Sequence, residues 1–219
     1  VKPPRAERMS LPGPAGALEA LIETPAEAAA DGAVRAFGVV CHPHPLFGGT
    51  LDNKVVWTLA RACQALGAPT IRFNFRGVGS SAGAYDEGRG EKADALAVIA
   101  WGRARWPHAA LWLSGFSFGA AVALLAAEAA RPSRLITVAP GITAVEVSGA
   151  AAPECPWLIV QGDADEVVPT AQVLEWARTL SPAPEIALLP GASHFFHGRI
   201  NELREVLVDF LTRAEAREL

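Results

Sequence analysis

The order of apolar runs along the chain predicts an α/β fold: one domain with a mainly parallel, twisted sheet covered by helices on both faces. Three observations carry this expectation. Continuous apolar stretches, the pattern of strands buried on both faces, alternate with segments of helical period. That alternation demands right-handed crossovers and hence a parallel sheet. The chain has 219 residues, 51% of them hydrophobic, with no internal repeat or low-complexity linker, so residues 1–219 suit a single well-filled core.

Taken in order, "LPGPAG" marks an early turn, and "GALEALIET" (16–24) alternates as an edge strand would. "AFGVVCH" is a continuous apolar run and reads as a buried strand. "NKVVWTLARACQALG" has helical periodicity and ends on glycine, with Asp52 or Asn53 as its N-cap. "PTIRFNF" is the next strand and "GEKADALAVIAWGRAR" the next helix. "AALWLSGF" and "GAAVALLAAEAA" form a further strand and helix. "RLITVAP" and "PWLIVQG" are strands, "TAQVLEWARTL" a helix, "EIALLPG" the last strand and "ELREVLVDFLTRA" the last helix.

Composition removes several function classes. The net charge is −4 and the arginines are scattered, so no basic track offers itself to nucleic acid. No stretch reaches eighteen or so uninterrupted apolar residues, so no membrane span is expected. "VKPPRAERMS" has no apolar core, so no secretory leader is expected, and the expected location is cytoplasmic. Cys41, Cys63 and Cys155 are far apart, odd in number and without a CxxC pair, which suits reduced, buried thiols. Cys41 stands beside "HPHP" with no helix start behind it, which argues against a nucleophilic role. No set of histidines and carboxylates has metal-ligand spacing, and no cofactor is expected. "GVGSSAG" imitates a dinucleotide-binding turn, but it lies mid-chain and no clear helix follows directly; a turn supporting the site from one side explains it better.

In parallel sheets, sites form beyond the carboxyl ends of the strands. Three such ends carry a serine, an acid and a histidine. "GFSFG" fits G-x-S-x-G between a strand and a helix, where Ser117 would stand on a sharp turn with a helix N-terminus behind it. A hydroxyl needs a base to become a nucleophile, and His194 in "PGASHFF" follows the last strand at short distance; His197 is the rival, and His108 falls at the wrong edge of the sheet. "QGDADEVVP" offers Asp165 to orient the imidazole, with Asp163 as its rival.

Together "HPHPLFGGTLDNKVV", "FNFRGVGSSAG", "GFSFG", "GDADEVVP" and "GASHFFHGRI" resemble the α/β-hydrolases, over nearly the whole chain. The likeness is to the small, lidless bacterial serine hydrolases related to the dienelactone-hydrolase-like esterases. The resemblance implies a catalytic triad of Ser117, Asp165 and His194. It also implies an oxyanion hole made by the Phe118 backbone N–H and a second N–H from the loop after an early strand. The usual "HG" of that loop reads "HPHP" here, and Pro43 and Pro45 have no N–H to give, which leaves Leu46 or His44. The dienelactone hydrolases proper use cysteine where this chain has serine. Many relatives insert a helical lid before the strand that carries the acid. Here only "GITAVEVSGAAAPEC" separates "RLITVAP" from "PWLIVQG", too short for a cap. The cleft is therefore expected to be open and walled by Leu46, Phe47, Phe118, Phe195 and Phe196. The expected function is hydrolysis of small, short-chain carboxylic esters through an acyl-enzyme. Thioester or amide cleavage, acyl transfer to an alcohol and non-catalytic ligand binding are the alternatives. A small-molecule ester is the expected partner, and oligomeric state is not legible.

Overall fold

A computed structural model describes residues 4–25, 33–145, 147 and 150–215. Among these residues, eight strands form one sheet in the order β1-β2-β4-β3-β5-β6-β7-β8. They are β1 (Arg5–Gly13), β2 (Gly16–Thr24), β3 (Ala36–Cys41), β4 (Thr70–Phe73), β5 (Ala110–Phe116), β6 (Arg134–Val138), β7 (Trp157–Gly162) and β8 (Glu185–Leu189). From β4 to β8 every neighbouring pair is parallel. β2 runs antiparallel to both β1 and β4.

Among the described residues, four α-helices connect strands, α1 (Lys54–Ala65), α2 (Arg89–Arg105), α3 (Phe118–Ala130) and α4 (Thr170–Arg178), and α5 (Ile200–Glu215) follows the last strand. α2, α3 and α4 bury Val98, Val122 and Val173 against one face of the sheet. α1 and α5 bury Val56, Leu59, Leu203 and Leu207 against the other. β3 and β5 are wholly buried apart from the first residue of β5, as their unbroken apolar runs require. Asn53 caps α1, its side chain accepting from the Val55 and Val56 N–H groups. Among the described residues, no helix is long and apolar enough to cross a membrane.

One feature departs from the sequence reading, and the β6–β7 connection keeps to it. β2 is not the edge strand. β1 pairs along its full length from Arg5↔Thr24 to Gly13↔Gly16, so the "LPGPAG" turn closes a hairpin and β1 takes the edge. The β6–β7 connection carries no helix among its described residues, and Val145 and Val147 are buried in the α2–α3 core. That segment lies down against the helical layer.

The chain leaves β3 for β4 on one side and returns to β5 on the other, so the sheet order reverses between β3 and β5. The loops beyond their carboxyl ends are pulled apart there, and Ser117 follows β5 at that opening.

Candidate active site

Ser117 sits between β5 and α3 with φ 56° and ψ −119°, a conformation a non-glycine residue adopts only under constraint. Hydrogen bonds supply the constraint. Ser117 N–H donates to Val138 O (2.9 Å), and Ser117 O accepts from Gly141 N–H (2.9 Å) and from the Ala120 and Ala121 N–H groups. The two flanking glycines have separate steric reasons. A Cβ on Gly115 would stand 2.2 Å from Gly119 O, and one on Gly119 would stand 2.3 Å from His42 O. The tight turn and the close approach of α3 to the β3 loop therefore both exclude side chains.

His194, on the β8–α5 loop, is buried. Its Nε2 lies 3.1 Å from Ser117 Oγ and its Nδ1 2.9 Å from Asp165 Oδ2. An ionised carboxylate only accepts, so Nδ1 carries the hydrogen and Nε2 presents a lone pair to the serine hydroxyl. Glu166 accepts from the His194 backbone N–H (3.1 Å), and Phe116 and Phe195 pack on the ring.

Asp165, on the β7–α4 loop, has a fully buried carboxylate that takes hydrogen bonds from both sides. Oδ1 accepts from Val167 N–H (2.9 Å) and Val168 N–H (2.8 Å), and Oδ2 accepts from Gln161 Nε2 (3.0 Å) as well as His194. Burial pushes its pKa upward, but the His194 bond and the Val168 and Val167 N–H groups outweigh this and hold it below the usual carboxylate value. Asp163 does not reach the imidazole. Its Oδ1 accepts from Gly191 N–H (2.5 Å) and ties down the loop that carries His194. His197 is exposed and its ring lies against Phe195.

The β3–α1 loop packs against the start of α3, with the His44 ring 4.9 Å from Phe118. His44 precedes a single 3-10 turn (Pro45–Phe47), and its Nδ1 accepts from Leu46 N–H (3.2 Å). The Leu46 N–H is thus engaged within the loop. The Phe118 ring is fully buried under His44, Tyr85 and Phe75, so it does not wall an open cleft. Among the described residues no backbone carbonyl accepts from the Phe118 N–H, and Gly141 approaches that nitrogen without a side chain. Leu46 and Phe47 are 65% and 85% exposed, and Phe195 is 41% exposed. Phe196 is a correction. It is fully buried beside Leu203 and Leu207, because a positive φ of 52° turns its side chain under α5.

The sequence reading assigned no role to His42, which the structure buries completely. Its Nδ1 donates to Pro43 O (2.6 Å) and its Nε2 accepts from Phe75 N–H (3.0 Å), pinning the β3 loop to the end of β4. Burial drives its pKa down to about 4, against a weaker upward pull from the Pro43 bond. The Cys41 thiol is likewise buried, and burial pushes its pKa up, away from reactivity. The "GVGSSAG" turn closes on Glu19, whose carboxylate accepts from Ser80 N–H (3.0 Å) and Asn74 Nδ2 (2.8 Å). Two clefts of about 570 Å³ lie elsewhere, one lined by Trp101 and Trp106, the other by Arg131 and Cys155; neither pairs a hydroxyl with a histidine.

A family described as the alpha/beta hydrolase fold matches residues 43–154, which include the His44 loop and the Ser117 turn. An α/β serine hydrolase homologue from Coxiella burnetii is 47% identical, with a TM-score of 0.88 over 93% of this chain and 96% of that one. A lidless α/β serine hydrolase from Xanthomonas campestris is 42% identical, with a TM-score of 0.90 over 97% of this chain and 96% of that one. A protein of Rickettsia prowazekii is 33% identical over 183 residues, 79% of this chain and 77% of its own length. A serine raised at the sheet's reversal point, no helix between β6 and β7 among the described residues and likeness over whole chains agree: the chain belongs to the α/β-hydrolase fold family, among its lidless serine hydrolases.

Proposed function

We propose that the protein hydrolyses small carboxylic esters with short acyl chains, using Ser117 as nucleophile. The observation that carries this reading is the unbroken hydrogen-bonded run from Ser117 Oγ through His194 to Asp165. Ser117 Oγ attacks the acyl carbon as its proton passes to His194 Nε2. Asp165 keeps the proton of the neutral ring on Nδ1 and stabilises the imidazolium that forms. The negative charge on the tetrahedral intermediate falls on an oxygen facing the start of α3, where the Phe118 N–H is available and the helix dipole is favourable. For the second donor, the His44 N–H is preferred over Leu46, because the Leu46 N–H already donates to the His44 ring. The imidazolium returns its proton to the departing alcohol. Water, deprotonated by the same histidine, then releases the acid.

Leu46, Phe47 and Phe195 supply exposed apolar surface near the site. Burying one acyl methylene against such surface contributes about 0.8 kcal/mol, while an open rim cannot surround a long chain. Rates on p-nitrophenyl esters from acetate to palmitate, for wild type and Ser117→Ala, test the reading. Turnover of the short esters should fall about 10⁴–10⁶-fold in Ser117→Ala with folding retained. Wild-type rates in the variant would remove the serine mechanism.

A further inference from the structure

We propose that Tyr85 and the His44 imidazole are positioning residues that fix the His44 backbone N–H as an oxyanion donor. This rests on the ester-hydrolase reading above and extends it to residues that do not touch the reacting atoms.

Every other polar group of His44 is committed. Its carbonyl accepts from the Phe47 and Gly49 N–H groups, each at 3.1 Å. Its Nδ1 accepts from the Leu46 N–H. Its Nε2 lies 3.3 Å from the Tyr85 hydroxyl. Because Nδ1 accepts a hydrogen bond, the neutral ring carries its hydrogen on Nε2, and the Tyr85 oxygen accepts it. Burial lowers the His44 pKa, with Glu91 pulling the other way, which supports a neutral ring. Among the described residues, no backbone carbonyl accepts from the His44 N–H.

The ring is also packed in place. Its centroid is 4.9 Å from Phe118, 5.0 Å from Tyr85 and 4.7 Å from Phe47. Pro43 and Pro45 restrict the backbone on both sides. Tyr85 is anchored in turn. The fully buried Glu91 carboxylate accepts from Asp86 N–H (2.9 Å) and Gly88 N–H (2.8 Å), directly after Tyr85 in the chain. The β4–α2 loop thereby reaches the His44 ring through the Tyr85 hydroxyl, while Phe75 N–H on His42 Nε2 and Leu51 N–H on Asn74 Oδ1 tie the two loops elsewhere. Without the Tyr85 contact the ring is free to rotate or change tautomer, the Leu46 N–H loses its acceptor, and the His44 peptide loosens.

An oxyanion donor acts mainly in the transition state, so its loosening lowers kcat more than it raises KM. The experiment compares wild type with Tyr85→Phe, His44→Ala and His44→Asn. It measures kcat and KM on a short p-nitrophenyl ester, the rate at which a fluorophosphonate labels Ser117, and thermal stability. Complete loss of one oxyanion donor costs about 10²–10³-fold, so loosening by Tyr85→Phe or His44→Ala should cut kcat and the labelling rate about 10–100-fold. KM should stay within about twofold, since uniform binding is untouched. His44→Asn keeps an acceptor for the Leu46 N–H but not the Tyr85 contact, so its kcat and labelling rate should lie between those of wild type and His44→Ala. Unchanged kcat and labelling in Tyr85→Phe and His44→Ala would overturn the proposal and leave the hydrolase reading standing. A loss confined to KM, or one that only follows lowered thermal stability, would also overturn it. A wild-type Ser117 that takes no label would overturn both.

Discussion

At the residue scale, the proposed acid is distinguished from its neighbour by its donors. Asp165 accepts four hydrogen bonds, one of them from the His194 ring, whereas Asp163 reaches the backbone of the histidine loop. Asp165→Asn removes the charge and makes the wrong imidazole tautomer competitive, so kcat should drop by about 10²–10⁴. Asp163→Asn keeps an oxygen for Gly191 and should stay close to wild type in the same assay. The reverse pattern would move the role to Asp163. The Asp165 pKa is lowered on folding, so its contribution to stability is present above the ordinary carboxylate value and is lost as pH falls through the lowered one. His42 acts at higher pH. Its pKa falls from 6.5 to about 4 on folding, so the unfolded chain binds the extra proton between those values. Stability should therefore decline as pH is lowered across that window, by up to about 3 kcal/mol. Urea unfolding at several pH values reads this directly. His42→Gln should flatten the decline, and an undiminished decline would assign the proton to another group.

At the element scale, the strand–turn–helix around Ser117 was legible because its requirements are local. Two glycines two residues either side of a serine, after an apolar run and before an alanine-rich one, leave few other structures. Gly119→Ala would press a methyl into the His42 carbonyl, so the variant should lose about 1–3 kcal/mol of stability and some activity, since the displaced loop carries His44. Chemical denaturation and ester turnover on the same sample check both. Asn53→Ala should cost about 1 kcal/mol with turnover unchanged, since only the α1 cap is lost. β1 was not legible for an equally local reason. "RAERMSLPG" is exposed over most of its length and presents only Met9 and Leu11 as apolar residues near the core, so the strand is fixed by its pairing with β2. The orientation of Phe196 depends on one positive φ, which composition does not announce. The proposal of His44 over Leu46 as a donor rests on where the His44 ring points, which the sequence does not announce.

At the scale of the whole molecule, the alternation of strands and helices gave the architecture, and the sheet's reversal between β3 and β5 gathers loops distant in sequence. His194 lies 77 residues from Ser117 yet within hydrogen-bond reach of it. With Val145 and Val147 of the β6–β7 connection buried in the α2–α3 core, the proposed reading has water and substrate reach the serine without a cap moving. Hydrolysis should therefore proceed on dissolved esters, with no jump in rate as a substrate passes its aggregation point, and rates should fall as the acyl chain lengthens past the medium range. A sharp rise at aggregation, or an optimum at palmitate, would contradict an open, short-chain site. The most direct test of the account is where a fluorophosphonate attaches to the folded protein, read by peptide mass mapping. The account predicts one adduct, on the peptide carrying Ser117, abolished by Ser117→Ala and slowed by Asp165→Asn. No adduct on folded wild-type protein, or an adduct on any other residue, would contradict it.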